Sequence, residues 1–344
     1  MKPRLRTASL ALGLLAISVA GSGCPCTDRI VNSSPWLRWQ IFALFGSGRL
    51  CDEMLKRGAP LRMSDGAPVI GRFFPSTCHS QINDDRRTVT VQFSGDGYAY
   101  TPVTQKMSFS AQGVVEFQPD FHKDGSTLYV WFRPVGRPSP TFNVGYVAQP
   151  MVGLATSMTP LGTFVNLFGT QIMSSELGRG FTVIQDDDGD DFSLGILQPP
   201  QRPTHPYQVR GSDRFVVAND TTEVQPNTLD FIGPIELDSD RTLTLQIRST
   251  RVPLDAVIVR RDMGEAWRQQ YQKVNGVIPP PSAPIALTTI PADTDIVRPI
   301  SLPRGQYYIV LDNSSVVGQV APPASLPLLT PVARASYLVW IADK

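Results

Sequence analysis

The chain has 344 residues, of which 42% are hydrophobic and only 18% charged, with a net charge of +1. That balance excludes a highly charged disordered chain and a nucleic-acid binder built on a basic surface, and it supplies apolar material for two cores. The 31 prolines and 27 glycines favour short strands joined by many turns over long helices.

The first 26 residues, MKPRLRTASLALGLLAISVAGSGCPC, decide location. Lys2, Arg4 and Arg6 precede an uncharged apolar run over 8–20. That run is short of the ~20 residues a spanning helix takes and has the flanks of a secretory signal. The following Gly21-Ser22-Gly23-Cys24 resembles the lipobox of bacterial lipoproteins, where small residues precede a cysteine that becomes acylated. Gly21 stands where those proteins usually carry an aliphatic residue. The resemblance implies removal of residues 1–23 and a lipid anchor on Cys24. It implies residence in a bacterial cell envelope, on the outer membrane or the periplasmic face of the inner one. Ordinary cleavage, leaving Cys24 a plain thiol, is the competing reading. Removing the three basic leader residues takes the net charge to −2. No later stretch is long and apolar enough to span a bilayer.

Export makes disulfides available to Cys26, Cys51 and Cys78. The expected bridge is Cys51–Cys78. Pairing of Cys26 with either stays open, because spacing does not fix connectivity. With no C-x-x-C and only His79 nearby, a zinc site is not expected.

Residues 24–34 read as a tether and 35–80 as a helical hairpin carrying the disulfide. Ser34 is placed to cap a helix with Pro35 at its first position. Leu37, Ile41, Leu44 and Phe45 share a face, and Gly46-Ser47-Gly48 is expected to stop the helix. A second helix is expected over 50–57. The first helix also carries Trp36 and Trp39. It has two destinations, docking on the adjacent β domain or lying at a membrane interface, where tryptophan is favoured.

Residues 81–198 read as a β domain. Period-two alternation marks strands over 88–93, from 98 onward, and over 106–110, 114–117, 128–132 and 141–148. Turns are expected at Gly95-Asp96-Gly97 and Asp124-Gly125. The segment 151–178 breaks this rhythm with Glu176 as its one charge. Phe164, Leu167, Phe168 and Ile172 sit there at helical spacing, either as a helix covering a sheet or as the wall of an apolar ligand cavity. Strands over 180–184 and 192–197 flank the acidic run 186–191. Asp186, Asp188 and Asp190 are candidate oxygen ligands for calcium, the one cofactor the sequence suggests. The run departs from an EF-hand loop, with Gly189 in fourth place and Leu197 in twelfth. The alternative is a hairpin tip with solvated charges.

Residues 199–206 hold four prolines and read as a linker. Residues 207–344 read as a second β domain, with strands over 214–218, 228–237, 242–248, 254–260, 285–289, 306–312 and 337–341. A polar helix over 264–274 interrupts them. In 241–248, Leu243, Leu245 and Ile247 alternate inward. The run Leu302-Pro303-Arg304-Gly305-Gln306-Tyr307-Tyr308-Ile309-Val310-Leu311-Asp312-Asn313 resembles a strand of bacterial jelly-roll modules such as the pre-peptidase C-terminal domain. That resemblance implies a β-sandwich and an accessory or binding role.

No G-x-S-x-G, H-E-x-x-H, Walker or G-x-G-x-x-G motif occurs. His79, His122 and His205 lie in unrelated loop contexts. Tyr98, Tyr100, Trp131, Tyr307 and Tyr308 suit either a binding platform or cross-strand packing. The fold expected is mainly β: two antiparallel β domains, a meander or sandwich with a covering helix and then a jelly-roll-like sandwich, behind a short helical hairpin. The function expected is non-enzymatic binding or scaffolding by a lipid-anchored envelope protein. Its partners would be the membrane and another envelope protein or lipid, without nucleic acid. A carrier of an apolar or lipid ligand, using 151–178, is the alternative, and an envelope hydrolase the third reading.

Overall fold

The computed structural model describes residues 25–342 except 57, 64–65, 101–103, 137, 139, 151–176, 188, 210–213, 275 and 323–331. The protein is mainly β, with two sheets and a few short helices. The N-terminal part of the first sheet holds β1 (Ala59–Leu61), β2 (Gly71–Asn83), β3 (Thr88–Ala99), β4 (Thr104–Asp124), β5 (Thr127–Pro134), β6 (Thr141–Pro150), β7 (Phe181–Asp186) and β8 (Gly189–Leu194). They run in the order β1-β2-β3-β4-β5-β7-β8, and β6 pairs the first half of β4. The Asp124-Gly125 turn forms as expected, with Asp124 opposite Thr127 and Gly125 at φ 62°.

Two expected breaks are absent. β3 runs straight through Gly95-Asp96-Gly97. A Cβ on Gly95 would lie 2.3 Å from the Phe74 carbonyl oxygen, and one on Gly97 2.5 Å from that of Arg72. These glycines allow close strand approach rather than a turn. β4 likewise joins two expected strands into one of 21 residues.

The expected tether is itself helical. α1 (Pro25–Ser33) leads through Ser34 into α2 (Pro35–Ile41), a π-helical turn (Phe42–Gly46) and α3 (Ser47–Lys56). The Ser34 cap forms, its Oγ accepting from the Leu37 N–H at 3.3 Å. Gly46 does not stop the helix, because the π turn carries the chain on into α3. α1 is tied to β4: Asn32 Oδ1 accepts from the Lys123 N–H and its Nδ2 donates to the Lys123 carbonyl, at 3.0 and 2.7 Å. Arg38 grips Asp120 through two nitrogens, at 2.6 and 3.2 Å. Trp39, Phe42 and Leu50 bury themselves against Phe73, Phe93, Phe117 and Phe132 of the sheet. The Cys51–Cys78 disulfide, with Cα atoms 5.3 Å apart, fastens α3 to β2.

The second region is an eight-stranded sandwich. One layer is β9 (Arg214–Val224), β16 (Ala333–Ala342), β11 (Arg241–Thr250) and β14 (Asp295–Leu302). The other is β10 (Thr228–Leu237), β15 (Gly305–Asn313), β12 (Leu254–Arg260) and β13 (Ala286–Ile290). Leu243, Leu245 and Ile247 point inward as their alternation requires, packed with Ile309, Leu311 and Tyr337. The pair Gly189 opposite Val216 carries the first sheet into this layer, so one twelve-stranded sheet spans both regions, and Val69 makes a further bridge to Thr222 of β9.

α4 (Arg261–Lys273) lies on the outer face of β15 and β12. It is not a polar insertion: Trp267 and Tyr271 are fully buried, against Tyr98 of β3 and Tyr100 just after it as well as Phe231 and Tyr308. Lys106 from β4 closes its C-terminus, donating to the Tyr271 and Val274 carbonyls at 2.7 Å each. Burial lowers the Lys106 pKa to about 8.

The regions are joined by a buried ion pair. Arg72 of β2 meets Asp230 of β10 through two 2.8 Å bonds, and Tyr98 Oη donates to the same carboxylate at 2.8 Å. Burial alone would raise the Asp230 pKa, but the Arg72 charge and these hydrogen bonds hold it below the usual carboxylate value. On the same outer face, Leu229, Asp312, Asp255 and Thr289 form one row across the four-stranded sheet. Asp255 accepts from Thr289 Oγ1 and the Val320 N–H, at 2.7 and 2.8 Å. Burial pushes the Asp312 carboxyl up to about 7, and the Asp255 charge adds to it.

Candidate functional site: an apolar cleft under the helical hairpin

The first sheet curves around α1–α3 without being filled by them. Between the helices, the sheet and the near edge of the sandwich lies a cleft of about 1800 Å³. Its helical wall is Leu37, Ile41 and Phe45, spaced one turn apart, with Met54 from α3. Its sheet wall follows strand alternation. Leu128, Val130 and Phe132 of β5 and Phe181 and Val183 of β7 face the cleft. The intervening Tyr129, Trp131 and Ile184 pack on the opposite face, where Trp131 Nε1 donates to the Leu197 carbonyl at 2.6 Å. Val217, Ile232 and Ile235 close the sandwich side.

One end of the cleft is polar. The acidic hairpin and the proline-rich segment meet there. Arg202 pairs with Asp186 at 2.5 Å and reaches Asp191 at 3.9 Å. His205 Nε2 lies 2.9 Å from Asp191 Oδ1 and its Nδ1 lies 2.7 Å from the Asn219 carbonyl. Both ring nitrogens therefore face acceptors, which an imidazolium satisfies. Burial works against that charge, but the Asp191 hydrogen bond and charge outweigh it and raise the His205 pKa. In this arrangement the ring has no lone pair turned toward a substrate, as a general base needs. The same Arg202 contact, with the Asp187 N–H and Thr127, outweighs burial and lowers the Asp186 pKa.

The candidates from the sequence fare differently. Cys51 and Cys78 are joined. Asp186 and Asp190 lie at the hairpin, with Asp186 held by Arg202, while Asp188 lies outside the described residues. Among the described residues no three His, Cys, Asp or Glu side chains gather as a metal site. Cys24, Phe164, Leu167, Phe168 and Ile172 also lie outside the described residues; of 151–178, Leu177 is seen lining the cleft. The aromatic set Tyr98, Tyr100, Trp131, Tyr307 and Tyr308 is buried, and so forms packing rather than an open platform. His79 is exposed, and His122 tilts against Trp131 with ring centres 6.5 Å apart. The leading sequence signal for the cleft was the alternation of β5, in which Leu128, Val130 and Phe132 share a face.

No protein-family model matches the chain, and no curated protein matches it by sequence. Among solved structures, similarity is found to a glycoside hydrolase family 43 arabinoxylan arabinofuranohydrolase from Bacillus subtilis in complex with cellotetraose. The match is at 10% identity and a TM-score of 0.24, over 83% of this chain and 69% of that one. A structure of infectious bursal disease virus, Gt strain, matches at 13% identity and a TM-score of 0.15, over 82% and 80% of the two chains.

Proposed function

We propose that this is an exported, lipid-anchored envelope protein with a non-enzymatic binding role, and that it binds an elongated apolar ligand such as a lipid acyl chain in the cleft. One observation carries the reading: the concave face of the first sheet leaves a cleft of about 1800 Å³ walled by Leu, Ile, Val and Phe. Pockets for drug-sized molecules are typically about 300–1,000 Å³, so this one suits something larger. The apolar part of its walls offers area for burial, at about 25 cal/mol per Å², beside charged side chains such as Asp28, Arg62, Arg72 and Lys123 that also line it. The leader and Cys24 support the envelope location, and α1 begins at Pro25, next to the cysteine that would carry the lipid. The arrangement of His205 favours binding over hydrolysis.

Native mass spectrometry and solvent extraction of protein purified without detergent test the binding. A co-purifying lipid, lost on substituting Ile41→Glu and Val183→Glu, is the expected result. Ligand-free protein that also fails to take up added fatty acid overturns it. The anchor is tested separately by Cys24→Ser, which should release the protein from membrane fractions.

A further inference from the structure

We infer that the outer side of the α1–α3 hairpin is a docking surface for a phospholipid bilayer, placed so that the cleft opens toward the membrane. Four of the twelve large apolar side chains exposed among the described residues fall within residues 30–45: Ile30, Trp36, Leu44 and Phe45. They are surplus to the fold. The hairpin already buries Trp39, Phe42 and Leu50 in the sheet and turns Leu37 and Ile41 to the cleft. Trp36 stays 58% exposed and Leu44 67%, so Leu44 parts from Leu37 and Ile41, with which the sequence grouped it on one face. The sequence left this helix two destinations, the β domain or the membrane. Different faces of one helix suit both.

Ile30 and Phe45 also line the cleft, so two of the four exposed side chains border its mouth. Position argues for a bilayer as the occupant. All four residues follow Cys24 by 21 positions or fewer. At 1.5 Å per helical residue they stay within about 30 Å of it. The inference rests on the lipid-anchored reading for this proximity alone. Charge argues for apolar insertion. Residues 25–57 hold five basic and three acidic residues, and Arg38 and Lys56 are paired with Asp120 and Glu53. That is no polybasic cluster, whereas tryptophan and leucine suit the headgroup boundary.

The test uses Cys24→Ser mature protein, which has no anchor, with vesicles of neutral phosphatidylcholine. Trp36 is exposed, while Trp39, Trp131, Trp267 and Trp340 are each 8% exposed or less, so iodide quenching reads Trp36. The expected result is protection of Trp36 with a blue-shifted emission, little changed by salt. Trp36→Ser with Leu44→Ser should weaken vesicle co-sedimentation by about tenfold or more, since burying one such side chain is itself a factor of that size. An unchanged melting temperature checks that this surface variant folds. Undiminished quenching at saturating lipid overturns the docking surface, even if Cys24 proves acylated. Binding that the double variant retains, or that high salt abolishes, overturns it as well. Trp36-dependent binding upholds it even if Cys24 proves unmodified.

Discussion

The sandwich and the curved N-terminal sheet solve the same problem differently. In the sandwich the apolar faces of the two layers meet, and Leu243, Leu245, Ile247, Ile309 and Leu311 are wholly buried. In the N-terminal region a concave sheet meets helices too narrow to fill it. Phe42 and Leu50 plug one part, and among the described residues the rest is a largely apolar cleft. A fold that needed only stability would close that space, since unfilled apolar surface forgoes burial. The sandwich and its buried Arg72–Asp230 pair give the open region a rigid back.

The largest effect expected is from breaking that junction. Arg72→Ala leaves Asp230 charged, buried and unpaired, which costs about 3–5 kcal/mol. Urea unfolding should then show the N-terminal region melting ahead of the sandwich, and a single unshifted transition would contradict the account. Asp312 gives an effect of similar scale inside the sandwich. Its pKa of about 7 lies above the ordinary 3.8, so the folded state keeps a proton the unfolded chain has released. Stability is therefore full below about pH 4 and falls as pH rises to about 7, by up to about 4 kcal/mol from this group. Asp312→Asn should flatten that slope in melts between pH 5 and 8.

Reducing Cys51–Cys78 frees a loop of 27 residues, worth about 3–4 kcal/mol. The loss should fall on the hairpin, read as faster amide exchange in α3 with the sandwich unchanged. The smallest effect is at the cleft's polar end. The raised His205 pKa means that its pairing with Asp191 stabilises at low pH and is lost as pH rises through the folded-state value, above 6.5. His205→Gln should remove about 1 kcal/mol at pH 6 and less at pH 9.

The sandwich was more legible than the cleft. β12 carries the apolar run Ala256–Val259, and both it and β10 were bounded as the structure bounds them. β14 was missed because it is an exposed edge strand with Pro299, so its inward residues, such as Ile296 and Ile300, are too sparse to show a period. β2 was missed for a related reason: its first four residues are buried, and after Pro75 most turn to solvent. Reading 25–34 as tether overlooked Pro25 and Asp28, which suit a helix start. The cleft depends on how far strands distant in the chain curve around α2, and the Arg72–Asp230 pair on a contact across 158 positions. Neither has a local signature.

The most direct test of the central claim is a titration of pyrene-labelled fatty acid into Cys24→Ser protein, compared with the same protein carrying Ile41→Glu and Val183→Glu. An occupied cleft predicts saturable binding with a blue, rigid probe signal in the first, lost in the second while the sandwich still melts normally. Binding that is absent from both, or equal in both, would contradict it.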